Sequence, residues 1–183
     1  MKKLNRLFLF IIIILTSLAF NSCNPFDDVY LTLSLDLDFS VQGFLSNISI
    51  PAEICLSDFE DYDDNRDNLE EIKYISAAFL TLAATDSLAG DNLKLTLYQA
   101  DRSTMLFQYT KARFTANDYL NAPLEIVLSE QEKSNINNYL KDPQVDKCFY
   151  ATLELSNITF SGIAQSYSLN SKMEFLTQLK VKP

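Results

Sequence analysis

From Tyr30 to Val41 the chain alternates without a break, and that pattern constrains the fold more than any other feature. Leu31, Leu33, Leu35, Leu37, Phe39 and Val41 fall on one side; Thr32, Ser34, Asp36, Asp38 and Ser40 fall on the other. A period of two over this length describes a strand with one face in a core and one in water. Leu93, Leu95 and Leu97 against Lys94, Thr96 and Tyr98 predict a second strand, and Met105 to Ala112 a third, joined to it by the turn signal Asp101-Arg102-Ser103-Thr104. Cys148 to Phe160 and Met173 to Val181 alternate again, and Asn47–Ile50, Ile72–Ala83 and Leu124–Leu128 bring the expected total to eight. Strands with one oily face each must bury it against one another, which predicts an all-β, two-sheet antiparallel β-sandwich, with a β-barrel as the alternative.

One short helix interrupts the strands. Ser129-Glu130-Gln131-Glu132 is a capping box, Ile136, Tyr139 and Leu140 supply an apolar face, and Asp142-Pro143 ends it, so the helix is expected to plug one end of the sandwich. Ile72 to Leu82 fits two periods, since Leu69, Ile72, Ile75 and Phe79 also have helical spacing; it is read as a central strand with both faces covered, preceded by a short helical or looped entry. Glycine is scarce, at three residues, so Asn and Asp are expected to make the turns.

The amino terminus stands apart from this pattern. Lys2, Lys3 and Arg6 precede an apolar run from Leu7 to Leu15 that continues through Leu18, Ala19 and Phe20, and Asn21-Ser22-Cys23 forms a polar exit. This is the layout of a secretion signal, too short in its apolar part to demand a permanent span. Leu18 to Cys23 resembles a bacterial lipobox, fitting at Ser22 and Cys23 and departing from the common pattern at Phe20 and Asn21. The resemblance implies a lipoprotein: a signal over residues 1–22 that is cut away, an acylated Cys23 with a tether over 23–29, and one β-sandwich domain over 30–183. Several acyl chains on one cysteine anchor stably where a single chain does not. Asn24 in place of Asp implies the outer membrane, and Asp27 and Asp28 leave its periplasmic and surface sides both open.

Removing residues 1–22 takes three of the 15 basic residues and none of the 24 acidic ones, so the rest carries 12 against 24, a formal charge of −12. Such a chain has no basic stripe for phosphate backbones, which excludes nucleic acid as a partner. The partners expected are the membrane, through Cys23, and a protein or glycan. Cys55 and Cys148 are either joined, as an exported domain permits, or two buried free thiols beside Ile54, Leu56 and Phe149.

Catalytic chemistry is poorly equipped. With no histidine there is no Ser-His pair, no imidazole ligand and no unaided base near neutral pH. Asp36 and Asp38 share a strand face about 7 Å apart, as carboxylates of a glycosidase could, but tryptophan is absent and only Tyr98, Tyr109, Tyr119 and Tyr167 could serve as sugar platforms. No enzyme is expected. Asp61, Asp63, Asn65 and Asp67 alternate as oxygen ligands of a calcium loop do, although Arg66 and Ile72 replace the glycine and glutamate of an EF-hand. Three functional classes follow: a lipid-anchored, non-catalytic binding or structural module; a carrier of an apolar ligand between the sheets; and a calcium-dependent adhesion module using residues 58–68.

Overall fold

The structure, a computed structural model, describes residues 28–161 and 166–182. The elements run β1 (Val29–Gly43), β2 (Ile48–Cys55), α1 (Glu60–Asn65), β3 (Leu69–Ala84), β4 (Ala89–Gln99), β5 (Met105–Thr115), β6 (Leu124–Glu125), α2 (Glu130–Tyr139), β7 (Cys148–Ser156) and β8 (Tyr167–Val181). The strands form two antiparallel four-stranded sheets, ordered β1-β8-β3-β6 and β2-β7-β4-β5. β1 pairs with β8, β2 with β7, β3 with β6 and β4 with β5, a nesting in which the ends of the chain wrap around its middle. That wrapping is the jelly roll, and the two sheets stay separate, so the sandwich expectation holds and the barrel does not.

Alternation along each strand builds the core. Leu33, Leu35, Leu37 and Phe39 of β1 turn inward beside Met173, Phe175 and Leu179 of β8 and face Leu93, Leu95, Leu97, Leu153 and Leu155 of the other sheet, all of them buried. Rings cross between the sheets: Phe149 meets Phe175 at 5.4 Å between centroids, and Phe79 meets Phe114 edge-on at 5.8 Å. Each such side chain stabilises the fold by about 1.5–3 kcal/mol on burial.

β3 explains its own ambiguity. Its register against β8 slips three times, between Leu69 and Glu71, Tyr74 and Ser76, and Thr81 and Ala83. Each slip resets which parity points inward, so buried residues fall at 69, 72, 77, 79 and 81: the step from 69 to 72 imitates helical spacing, 77 to 81 keep the strand period, and Ile75 is exposed.

The helix begins as its capping box requires. Ser129 N donates to Glu132 Oε2 at 2.9 Å, and Glu132 N donates to Ser129 Oγ at 3.3 Å. Ile136 and Leu140 are buried, and α2 reaches both sheets, through Asn137 Oδ1 accepting from Tyr74 N and Glu132 Oε1 accepting from Gln108 N. Of the two expected forms for the entry to β3, helical or looped, the structure has the helical one: α1 and the 3-10 turn Arg66–Asn68 fill the acidic segment. The turn expectation holds in part: Asp101 makes its turn by accepting from Ser103 N and Thr104 N, while among the described residues the non-glycine left-handed positions are Ser87, Arg102, Arg113 and Asn157, of which one is an Asn. Among the described residues no helix is long and apolar enough to cross a membrane.

Candidate functional site

Strand direction divides the loops between two ends. The β2–β3, β4–β5 and β6–β7 connections gather at the end where β1 begins, the base; the β1–β2, β3–β4 and β5–β6 connections gather at the tip.

At the base, the acidic segment is a fastened helical turn. Asp61, Asp63 and Asn65 lie on α1 and Asp67 on the 3-10 turn that follows it. Alternate residues of a helix point about 200° apart, so a spacing that converges in an extended loop diverges here. Asn65 spends its amide on the carbonyl of Asp61 at 2.8 Å. Among the described residues no three acidic side chains of this segment bring a carboxylate oxygen each within 4.8 Å of one another, and the helical turn separates Asp61 from Asp63.

What holds the segment is its contact with residues 142–148. Tyr62, buried, donates from its hydroxyl to the carbonyl of Pro143 at 3.1 Å, and burial pushes its pKa up against the nearby Arg66. Arg66 Nε donates to the carbonyl of Gln144 at 2.7 Å, and Ser57 donates through N and Oγ to the two oxygens of Asp146. Cys55 and Cys148 close the junction as a disulfide, one of the two arrangements the sequence left open. The Asp146 carboxylate lies close to both sulfurs, which are bonded to each other and not available as ligands.

Two grooves flank α2. The larger, about 520 Å³, is lined by amides and charges, among them Gln99, Asn135, Asn138, Asp142 and Lys147, around Tyr139. The tyrosine is fixed on every side: its hydroxyl donates to the carbonyl of Cys148 at 2.8 Å, Phe149 meets its ring edge-on at 5.5 Å, and the Lys147 ammonium sits 5.4 Å over it. Burial raises its pKa, so it remains a neutral donor at physiological pH. The second groove, about 430 Å³, mixes Glu70 and Glu71 with Lys73, Lys141 and Lys180. Both offer hydrogen bonds to a polar partner.

The carboxylate pair on β1 is not gathered into either groove. Asp36 takes an ion pair from Lys172 at 2.7 Å, and its hydrogen bond to that lysine raises the lysine pKa; Asp38 is exposed. Of the four tyrosines, Tyr167 is buried and Tyr119 stacks on Phe114 at 5.7 Å, while Tyr109 packs against the core. Tyr98 lies beside Tyr150 on the outer face of its sheet, where the Arg102 guanidinium covers Tyr150 at 4.8 Å and pairs with Glu53 at 2.6 Å. Cys23 lies outside the described residues.

The tip carries a feature the sequence reading missed. Phe44 and Leu45 are 79% and 60% exposed, yet their turn is tied down: Tyr167 Oη donates to the carbonyl of Leu45 at 2.8 Å, and Ile158 N to that of Ser46 at 2.8 Å. The signal was present, an apolar pair set between Gly43 and Ser46 where alternation stops.

Strand order places this chain in the class of eight-stranded jelly-roll β-sandwiches. No family model matches the chain, and no match to a curated protein reaches significance. Solved structures similar to it include the Macrobrachium rosenbergii nodavirus, at 13% identity and a TM-score of 0.37, covering 85% of this chain and 54% of that one. A semi-empty virus-like particle of the same nodavirus is 14% identical, with a TM-score of 0.40, over 88% of this chain and 87% of that one. Tobacco necrosis virus is 7% identical, with a TM-score of 0.37, over 86% and 97%. This chain spans about half the length of the first of these.

Proposed function

We propose that this chain is a bacterial lipoprotein, acylated at Cys23 and held at the outer membrane, whose jelly roll is a non-catalytic binding or structural module. The single observation that carries the export part of the reading is the Cys55–Cys148 disulfide, because such bonds persist in oxidising compartments outside the cytosol. It agrees with the basic and apolar start that ends at Cys23. The tether is short, since β1 starts at Val29, so the base end with its α2 grooves would face the anchoring bilayer and the tip would face away. The polar groove around Tyr139 suits a hydrogen-bonding partner, protein or glycan. Aromatic contacts spanning the two sheets give the apolar-carrier reading no support.

Metabolic labelling with an alkyne fatty acid tests the anchor. The wild-type chain is expected to take up label and sediment with membranes, and Cys23→Ala to do neither. Equal labelling and fractionation of the two would remove the lipoprotein reading.

A further inference from the structure

We infer that β1 is an acceptor edge, on which an extended, basic segment of another protein adds as a further strand. A sheet edge exposes a row of unpaired N–H and C=O groups, and folded proteins usually blunt it with proline, charged side chains (lysine above all), bulges or a covering element. Three of the four edges here are blunted. β2 has Pro51 at its centre. β5 has Lys111 and Arg113, the latter at a left-handed φ of 56°, and its Gln108 N–H is taken by Glu132. The other edge of the β1 sheet is β6, only two residues long, and the part of β3 it leaves uncovered is met by Ile126 N donating to the carbonyl of Ala77 and by Asn137 at Tyr74.

Of these devices β1 has only the carboxylates of Asp36 and Asp38. Its 15 residues contain no proline, lysine or arginine, and its pairing with β8 runs from Val29↔Val181 to Gly43↔Tyr167 without a register slip. Among the described residues no strand lies against its other edge. An antiparallel strand spends roughly half of its backbone groups on one neighbour, so the rest of this edge, about 50 Å long at the usual rise, is free to bond.

Charge selects the occupant. The outer face of β1 carries Asp36 and Asp38 and no cation; Lys172 answers Asp36 but also lies 3.6 Å from Glu174, and Asp38 has no ion pair among the described residues. A second copy is a poor fit: full antiparallel self-pairing centres on the midpoint of Val29–Gly43 and sets Asp36 against Asp36, which is destabilising for like charges directly opposed. A strand with lysine or arginine at alternate positions meets both carboxylates while its backbone completes the ladder, the strand-addition mode of peptide recognition.

Amide hydrogen exchange on the full chain tests this, with a synthetic peptide alternating valine and lysine as probe and its valine–glutamate counterpart as comparison. The lysine peptide is expected to slow exchange along Val29–Gly43 and not along β2 or β5, and the glutamate peptide to do so far less. Replacing both acids, Asp36→Asn with Asp38→Asn, should weaken the lysine peptide by about three- to tenfold, the worth of two exposed ion pairs, with the circular dichroism spectrum unchanged. Protection on β2 or β5 in place of β1, equal effects of the two peptides, no protection at saturating peptide, or a β1-protected dimer in sedimentation would each overturn the inference.

Discussion

Cys55 and Cys148 face each other across β2 and β7, their α-carbons 3.9 Å apart, and the bond between their sulfurs joins positions 93 residues apart in the chain. Closing so long a loop in the unfolded chain is worth about 4–5 kcal/mol in the chain-entropy model, and native disulfides commonly deliver about 2–4 kcal/mol. The double replacement Cys55→Ser, Cys148→Ser is expected to lose that amount in urea unfolding, with Tm falling about 2–4 °C for each kcal/mol. Thiol titration of unfolded wild-type protein should find neither cysteine reactive until a reductant is added.

Gly90 is held against a neighbouring backbone. A β-carbon there would sit 2.9 Å from the carbonyl oxygen of Ser156, backbone held between the Asn92–Ser156 pair and the Ala89–Thr159 bridge. Gly90→Ala is therefore expected to destabilise by about 1–3 kcal/mol, the range for overpacking. Chemical denaturation measures it, and an unchanged midpoint would contradict the contact.

Thr81 and Ser171 stand opposite each other across β3 and β8, 1% exposed, and neither hydroxyl has a hydrogen-bond partner. A buried, unpartnered polar group costs about 1–3 kcal/mol. Thr81→Val should raise stability by about 1 kcal/mol, a gain where core substitutions usually lose, and urea midpoints would reveal it. Ser171→Ala should act in the same direction, and the two should not add independently, because the groups are neighbours.

Stability should fall in acid. Burial alone would raise the Glu132 pKa, but hydrogen bonds from Ser129 and Gln108 hold it below its ordinary value. Asp101 is lowered further, chiefly by the Thr104 hydroxyl and then by the Thr104 and Ser103 amides. Both are more acidic folded than unfolded, so their contribution is present above the unfolded carboxylate pKa of roughly 4 and is lost as pH drops below it. Urea midpoints between about pH 6 and about pH 2 should decline, and the pair Asp101→Asn, Glu132→Gln should flatten part of that slope. Glu132→Ala at neutral pH should cost about 1 kcal/mol, through the capping box.

Much of the sandwich was legible because most strands keep one parity inward for their whole length, as β1 does from Leu31 to Val41. β3 was harder for a physical reason: three bulges shift its phase, and no residue type marks them. Helix α1 was hidden in Glu60–Asn65, where acidic residues at alternate positions suggest ligands in an extended loop; what makes the segment helical is Tyr62, which docks into residues 142–148 far away in sequence. The pairing of Cys55 with Cys148 could not be decided from neighbours such as Ile54 and Phe149, because it depends on the register of β2 against β7. Phe44 and Leu45 are illegible in sequence because two apolar residues in a turn look like strand ends, and only the hydrogen bonds at Leu45 and Ser46 mark the turn as tied down.

The nested strand order has a kinetic consequence. Only β4 and β5 are joined by a short turn; every other nested pair must wait for a longer loop to close, out to β1 and β8, which are separated by nearly the whole domain. Loop-closure entropy grows outward through the nest, so assembly is expected to start at the Asp101–Thr104 turn and finish with β8 slotting between β1 and β3. Until that last strand arrives, Leu33, Leu35 and Leu37 have no lateral neighbour, and a chain emerging amino terminus first carries this 15-residue strand unprotected until β8 is made.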